Sequence, residues 1–257
     1  MTTETWIEIQ QGRLFAKCWG TGIETGARAP ILLFHDSLGS VQLWRDFPRH
    51  LAHATSRQVI AYDRLGFGKS DPRSDRLTLD FIQEEAKAII PALQDQLGFD
   101  RFVAFGHSVG GGMAIAAASS HPASCQALVT ESGQAFVEDR TLEGIREAKR
   151  AFAMPGQIDR LKKYHGDKAE WVLNAWTETW LSPQFADWSL DAELSAVLCP
   201  VLAIHGDKDE FGSIEHPRRI AAAVAGPATV EILADCGHVP HREKENDVLD
   251  KVAAFLS

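Results

Sequence analysis

The feature that most constrains this chain is a set of short apolar runs without polar alternation. Ile31-Leu32-Leu33-Phe34, Val59-Ile60-Ala61-Tyr62 and Phe102-Val103-Ala104-Phe105 are followed by Ala127-Leu128-Val129, Val201-Leu202-Ala203-Ile204 and Thr229-Val230-Glu231-Ile232-Leu233. A strand with one face in water alternates apolar and polar residues, whereas a strand covered on both faces does not. Helix-patterned segments separate most of these runs: Leu79 to Leu97, stopped by Gly98, then Gly111 to Ser120 and Asp247 to Leu256. Trp6–Gln10 and Arg13–Gly20, joined at Gln11-Gly12, read as a hairpin. The expected fold is α/β, with a mostly parallel central sheet of about eight strands and helices on both faces.

One stretch breaks the alternation. From about Gln134 to Leu194 there is no strand-like run, only helical patterns interrupted at Met154-Pro155-Gly156 and Ser182-Pro183. These residues predict an inserted helical cap (134–194) on a core made of residues 1–133 and 195–257.

A chain of 257 residues can bury a substantial core without disulfides or a structural metal. Its 24% charged and 45% hydrophobic residues exclude a disordered or collagenous chain. The net charge of -9, with no Lys/Arg block longer than a pair such as Lys162-Lys163, argues against nucleic acid as a partner. Met1 to Trp6 shows no basic segment leading into an apolar one, so no signal peptide is expected. The longest weakly polar run, Gly110 to Ala118, is too short to span a membrane. Cys18, Cys125, Cys199 and Cys236 are scattered without a C-x-x-C pair, as small buried thiols in a reducing compartment would be. The expectation is a cytoplasmic monomer or homodimer with no membrane partner.

The chemistry-bearing signal is Gly106-His107-Ser108-Val109-Gly110, a G-x-S-x-G pentapeptide. Alone it would turn up by chance in about one chain in ten of this length. Here it follows a predicted strand and opens a small-residue helix, a setting that exposes the serine on a tight turn and aims helix amides at developing negative charge. A serine hydroxyl needs a base, and the base needs an orienting carboxylate. Both are offered downstream in loops after predicted strands: His205-Gly206-Asp207-Lys208-Asp209 and Asp235-Cys236-Gly237-His238. Competing motifs fail on spacing. Gly68-Lys69-Ser70 lacks the earlier glycine of a phosphate loop, and neither Gly20-x-Gly22 nor Gly66-x-Gly68 completes a dinucleotide pattern. No metal-ligand pattern is present either, so no metal and no cofactor are expected.

The chain resembles the α/β-hydrolase fold family over nearly its whole length. The resemblance is carried by His35-Asp36-Ser37-Leu38-Gly39, by Asp63-Arg64-Leu65-Gly66-Phe67-Gly68-Lys69-Ser70, by the Ser108 elbow, by Gly206-x-x-Asp209 and by Gly237-His238. It implies Ser108 as nucleophile, Asp209 rather than Asp207 as acid, and His238 as base. The other histidines are expected in structural roles (His35, His107, His205) or at the surface (His216, His241). The oxyanion-binding amides would be those of Ser37 and Val109. The sequence departs from the family at Asp36, where glycine is usual; a carboxylate there would be unfavourable unless turned away or paired, and Asp36 is expected to point away from the nucleophile.

The insertion carries Trp171, Trp176, Trp180, Phe185 and Trp188. Most such aromatics pack a core. Phe136, Trp171 and Trp188 are the candidates for a substrate wall, and Trp44 is close enough in the chain to the first loop to reach the same cleft. The expected activity is that of a carboxylesterase-like serine hydrolase, acting on a small-molecule ester or lactone. Hydrolysis of carbon-carbon bonds in ring-fission products, or of enol-lactones, is the alternative. It would call for a cation near the substrate, with Arg64, Arg140, Arg146 and Arg150 as candidates and surface charge as their ordinary role. Dehalogenase and epoxide hydrolase chemistry is disfavoured, because those relatives carry Asp where this chain has Ser108. A ligand-binding receptor or regulator on the same fold is a further alternative, distinguished by turnover.

Overall fold

A computed structural model describes residues 2–20 and 28–257. Met1 and residues 21–27, which include Gly22 of the incomplete dinucleotide pattern, lie outside the described residues. Eight strands form one sheet: β1 (Thr2–Ile9), β2 (Gly12–Trp19), β3 (Ile31–Phe34), β4 (Val59–Tyr62), β5 (Phe102–His107), β6 (Cys125–Glu131), β7 (Val201–Gly206) and β8 (Ala228–Leu233). Their spatial order is β1-β2-β4-β3-β5-β6-β7-β8. The β1–β2 hairpin and the β2–β4 pair are antiparallel, and every other pair is parallel.

The apolar runs have a simple physical origin. Ile31, Leu33, Val59, Ala61, Val103, Phe105 and Val129 face one core, together with Leu51 of α1 (Phe47–Thr55) and Val248 and Val252 of α10 (Glu245–Phe255). Leu32, Phe34, Ile60, Tyr62, Phe102, Ala104 and Leu128 face the other, with α2 (Phe81–Leu97) and α3 (Val109–Ser120). Successive side chains alternate between two dry faces, so no polar residue interrupts the run. In α3, every residue from Val109 to Ala118 is buried, as expected of a helix that is apolar all round.

Two strands exceed their apolar signal. β1 begins at Thr2, because its outer face is exposed and its polar residues are held by pairing with β2 along the whole strand. β6 continues past Val129 through Thr130 to Glu131, where a fully buried carboxylate ends the strand. β8 is the opposite case, a sheet-edge strand with only Leu233 buried.

Between β6 and β7 run α4 (Asp139–Phe152), α5 (Gln157–His165), α6 (Ala169–Trp180) and α7 (Asp191–Ser195). Breaks fall at Met154-Pro155-Gly156 and Ser182-Pro183, where prolines and glycine stop the helical ladder. The ends of the segment meet: Phe136 bridges Ser189, Val137 donates to the Trp188 carbonyl and Leu190 to that of Ala135. α8 (Glu215–Ala223) and α9 (Pro240–Glu243) follow β7 and β8. The cysteines, scattered in sequence, are not all apart in space: the Cys125 and Cys199 sulfurs lie 3.9 Å from each other. No helix among the described residues is long and apolar enough to cross a membrane.

The tightest contact lies where α3 meets the sheet. A Cβ at Gly110 would stand 2.1 Å from the Phe34 carbonyl oxygen, and one at Gly106 2.0 Å from that of Gly110. Both obstacles are backbone, which cannot rotate away. Gly110→Ala is therefore expected to destabilise the protein by roughly 3 kcal/mol or more. Urea denaturation measures this, and a loss below about 1 kcal/mol would mean that helix and strand separate cheaply.

Candidate active site

Ser108 sits between the last residue of β5 and the first of α3, at φ 57° and ψ −125°. Few non-glycine residues adopt positive φ, and the strain is held by closure on both sides. The Ser108 amide donates to the Glu131 carbonyl at 2.9 Å, and its own carbonyl accepts from Gly111 at 2.8 Å. The loops after β7 and β8 bring Asp209 and His238 together. His238 Nδ1 lies 2.9 and 2.8 Å from the two Asp209 oxygens. Asp209 also accepts from the amides of Phe211 (2.8 Å) and Gly212 (3.0 Å), and Arg140 donates to its backbone carbonyl at 3.0 Å. Burial alone would push the Asp209 carboxyl up. The hydrogen bond and charge of His238, the nearby His205 and the Phe211 amide outweigh it and hold the carboxyl down at about 2. Asp207, by contrast, accepts from the Cys236 amide at 3.3 Å and lies 3.9 Å from the Lys208 ammonium, away from His238.

Ser108 and His238 line one cavity of about 230 Å³, with Asp36, Ser37, Gln134 and Arg242 as polar neighbours. Leu38, Leu43, Ile145, Trp176, Phe211 and Val239 supply its apolar wall. With Nδ1 committed to Asp209, Nε2 is the His238 nitrogen left for the cavity. The Asp36 carbonyl is held from behind by His35 Nδ1 (2.8 Å), Arg64 Nη2 (2.9 Å) and the Gly39 amide (3.1 Å). Because the peptide unit is planar and trans, the Ser37 N–H must point the opposite way. Among the described residues neither it nor the Val109 amide, at the first position of α3, has a protein acceptor. Asp63 fixes this corner by accepting from the amides of Val41 (2.6 Å) and Lys69 (2.7 Å).

Several residues lie elsewhere than expected. His216 and His241 are buried, not at the surface, because each meets a carboxylate: His216 faces Glu138 at 3.2 Å, and His241 Nδ1 donates to Glu131 at 2.6 Å. Phe136 stacks on His216, Trp171 packs on Phe67 and donates to the Asp75 carbonyl, and Trp188 stacks on Phe185. None of the three lines the Ser108 cavity, since each ring is taken by a neighbour outside it; Trp176 does. Trp44 is buried behind the site against Phe47, Phe105, His107 and His241. Arg64 is buried over the Phe67 ring rather than exposed, and Arg146 and Arg150 pair with Glu143 at the surface. The cation on the cavity wall is Arg242, four residues after His238.

Glu131 is the buried group that sequence reasoning missed. Its one signal is a carboxylate at the end of an apolar run beside the elbow. Burial opposes its charge, but the charge and hydrogen bonds of His241, with His107, hold its carboxyl below the ordinary range. Burial keeps the His241 imidazole low in turn. The ligand-type atoms of His107, Glu131 and His241 lie within 4.8 Å of one another. Both Glu131 oxygens are already taken by His241, and His107 donates to a carbonyl, so we assign these groups no metal-binding role.

The depressed Asp209 carboxyl stabilises the fold above the ordinary carboxylate range, and this contribution is lost as pH falls from about 4 to about 2. Over that window the unfolding free energy of the wild type should drop by about 2 kcal/mol more than that of Asp209→Asn. Urea titrations at stepped pH read this directly, and parallel curves would count against the pairing.

Comparison with known proteins identifies the family. Residues 29–245 match the family model of the alpha/beta hydrolase fold. The 2-hydroxymuconate semialdehyde hydrolase of Pseudomonas sp. (strain CF600) is 25% identical, over 91% of this chain and 89% of that protein. The 2-hydroxy-6-oxononadienedioate/2-hydroxy-6-oxononatrienedioate hydrolase of Klebsiella pneumoniae is 24% identical, over 99% of this chain and 96% of that protein. Among solved structures, the enol-lactonase from Burkholderia xenovorans LB400 shares the fold with a TM-score of 0.73 at 20% identity, over 98% of this chain and 99% of that one. The chain belongs to the α/β-hydrolase fold family and is a hydrolase.

Proposed function

We propose that this hydrolase cleaves small to medium carboxylic esters or lactones through an acyl-enzyme. The observation that carries the reading is the Asp209–His238 pair opening onto the same cavity as Ser108 on its strained elbow. Ser108 Oγ attacks the carbonyl carbon while His238 Nε2 takes its proton. Asp209 holds the imidazole tautomer and stabilises the imidazolium. The amides of Ser37 and Val109 receive the tetrahedral oxyanion, each worth about 3 kcal/mol in the transition state. Collapse expels the alcohol, protonated by His238, and water then attacks the acyl-enzyme with His238 again as base. Residues 134–194 act as the cap, with Ile145 and Trp176 lending apolar surface to the acyl side of the cavity. The reduced cysteines suit a cytoplasmic protein.

A second reading is favoured by one residue. Arg242 on the cavity wall offers a cation to a substrate carboxylate, as hydrolysis of a carbon-carbon bond in a ring-fission product would use, and two relatives spanning the chain bear names of that kind.

Initial rates on p-nitrophenyl esters from acetyl to dodecanoyl separate the readings. At about 230 Å³ the cavity lies below the range usual for drug-sized ligands, so the optimum is expected among the short acyl chains. Ser108→Ala should lower kcat/KM by about 10⁴-fold or more. Equal rates in both proteins would remove Ser108 as nucleophile. Ester inactivity with turnover of a ring-fission dienoate would establish the second reading. Trp176→Ala should shift the optimum toward longer chains, and an unmoved optimum would take Trp176 off the acyl wall.

A further inference from the structure

We propose that His107 is a positioning residue, which with Asp36 ties the oxyanion loop to the loop that carries the base. The inference rests on the Ser108–His238 reading and adds to it a second histidine, which acts through the loops it joins.

His107 is 2% exposed and immediately precedes Ser108. Its Nε2 lies 2.8 Å from the carbonyl oxygen of His238. A carbonyl only accepts, so that nitrogen carries a proton. Its Nδ1 makes no hydrogen bond; the carboxylate oxygen Asp36 Oδ2 stands at an ion-pair distance of 3.5 Å. A bare lone pair facing a carboxylate oxygen would be repelled, so Nδ1 carries a proton too. An imidazole protonated on both nitrogens is an imidazolium. One ring thereby joins the loop after β3, the elbow and the loop after β8.

Asp36 completes the device. Its Oδ1 accepts the Leu38 amide at 2.8 Å, so the side chain folds back over Ser37 and holds the turn that leaves the Ser37 amide free. Glycine at this position would supply no such brace. A carboxylate on the wall of a cavity where an oxyanion develops would oppose the reaction if it stood alone. The charge of His107 offsets it. This accounts for the departure from the family pattern at Asp36 by a partner within the elbow itself.

The charged groups around His107 agree on its state. Asp36 faces it from the loop after β3 and Glu131 from the end of β6. His238 packs on it from the loop after β8 and His241 from α9, at 5.1 and 5.0 Å between ring centroids. Arg242 of α9 and Arg64 stand on the Asp36 side. Burial disfavours the His107 charge, but the adjacent Asp36 carboxylate, the charge of Glu131 and the His238 carbonyl outweigh it and raise the imidazole to about 9. The contribution is present below the ordinary histidine range and is lost as pH rises through about 9.

The test combines NMR and kinetics. Histidine 15N shifts of the wild-type protein should show a His107 ring that stays protonated through neutral pH and titrates near pH 9, moving lower in Asp36→Asn. On p-nitrophenyl butyrate, Asp36→Asn and His107→Gln should each lower kcat by about tenfold or more with KM changed less than about threefold. The double variant should fall no further than the worse single one. The alkaline limb of the wild-type kcat near pH 9 should disappear in Asp36→Asn. A His107 ring that is neutral at pH 7, a kcat for Asp36→Asn within about threefold of wild type, or fully multiplicative single effects would each overturn the proposal. Fluorophosphonate labelling of Ser108 is read in parallel. Its absence would mark failure of the nucleophile reading, whereas the NMR titration reports on the Asp36–His107 pair without any turnover.

Discussion

The site depends on how closely the first turn of α3 can press against the end of β3. At Gly106 and Gly110 backbone lies against backbone, with no room for a single carbon. That approach forces Ser108 into positive φ and leaves the Val109 amide at the open end of a helix. It also sets the β3 loop beside the elbow, so that Ser37 and Ser108 line one small cavity. A side chain at either glycine would part these pieces and release the strain. The surrounding core supplies what the strain costs: both faces of the sheet are dry, and α3 is buried on every side.

Four carboxylates near the strand ends, two buried and two half-buried, each meet an imidazole. Asp36 faces His107, Glu131 faces His241, Glu138 faces His216, and Asp209 is shared between His238 and His205. Lysine or arginine in those places would bring a permanent charge into the core. Imidazole can donate a hydrogen bond while neutral or take a proton where two acceptors converge on it. His241 and His107 illustrate the two cases: burial holds the first imidazole below its ordinary value, and acidic neighbours raise the second.

What could be read in the sequence was whatever burial writes as a pattern. The core strands were legible because both faces are apolar, and the elbow because glycine, serine and glycine fall between a strand and a helix. The polar start of β1 and the Thr130-Glu131 end of β6 were not, since pairing and buried ionic partners hold them without an apolar trace. His216 and His241 looked like surface residues because their carboxylate partners are 78 and 110 positions away in the chain. The tryptophans mark the limit most clearly. Trp171 and Trp176 share one helix, with Trp188 just beyond it, and the packing of Trp176 against Phe211 accompanies its place on the cavity wall.

The bridge between Phe136 and Ser189 gives the insertion a narrow neck. Its two strands of chain leave and re-enter the core side by side, closed by the bonds of Val137 and Leu190. To the sheet, everything beyond the neck behaves as one short connection, whatever its length, because closing a longer loop adds entropy only slowly. The segment beyond the neck still reaches the core elsewhere: Arg140 donates to the Asp209 carbonyl and Thr141 to that of Phe211, so reshaping α4 would also load the loop that carries Asp209.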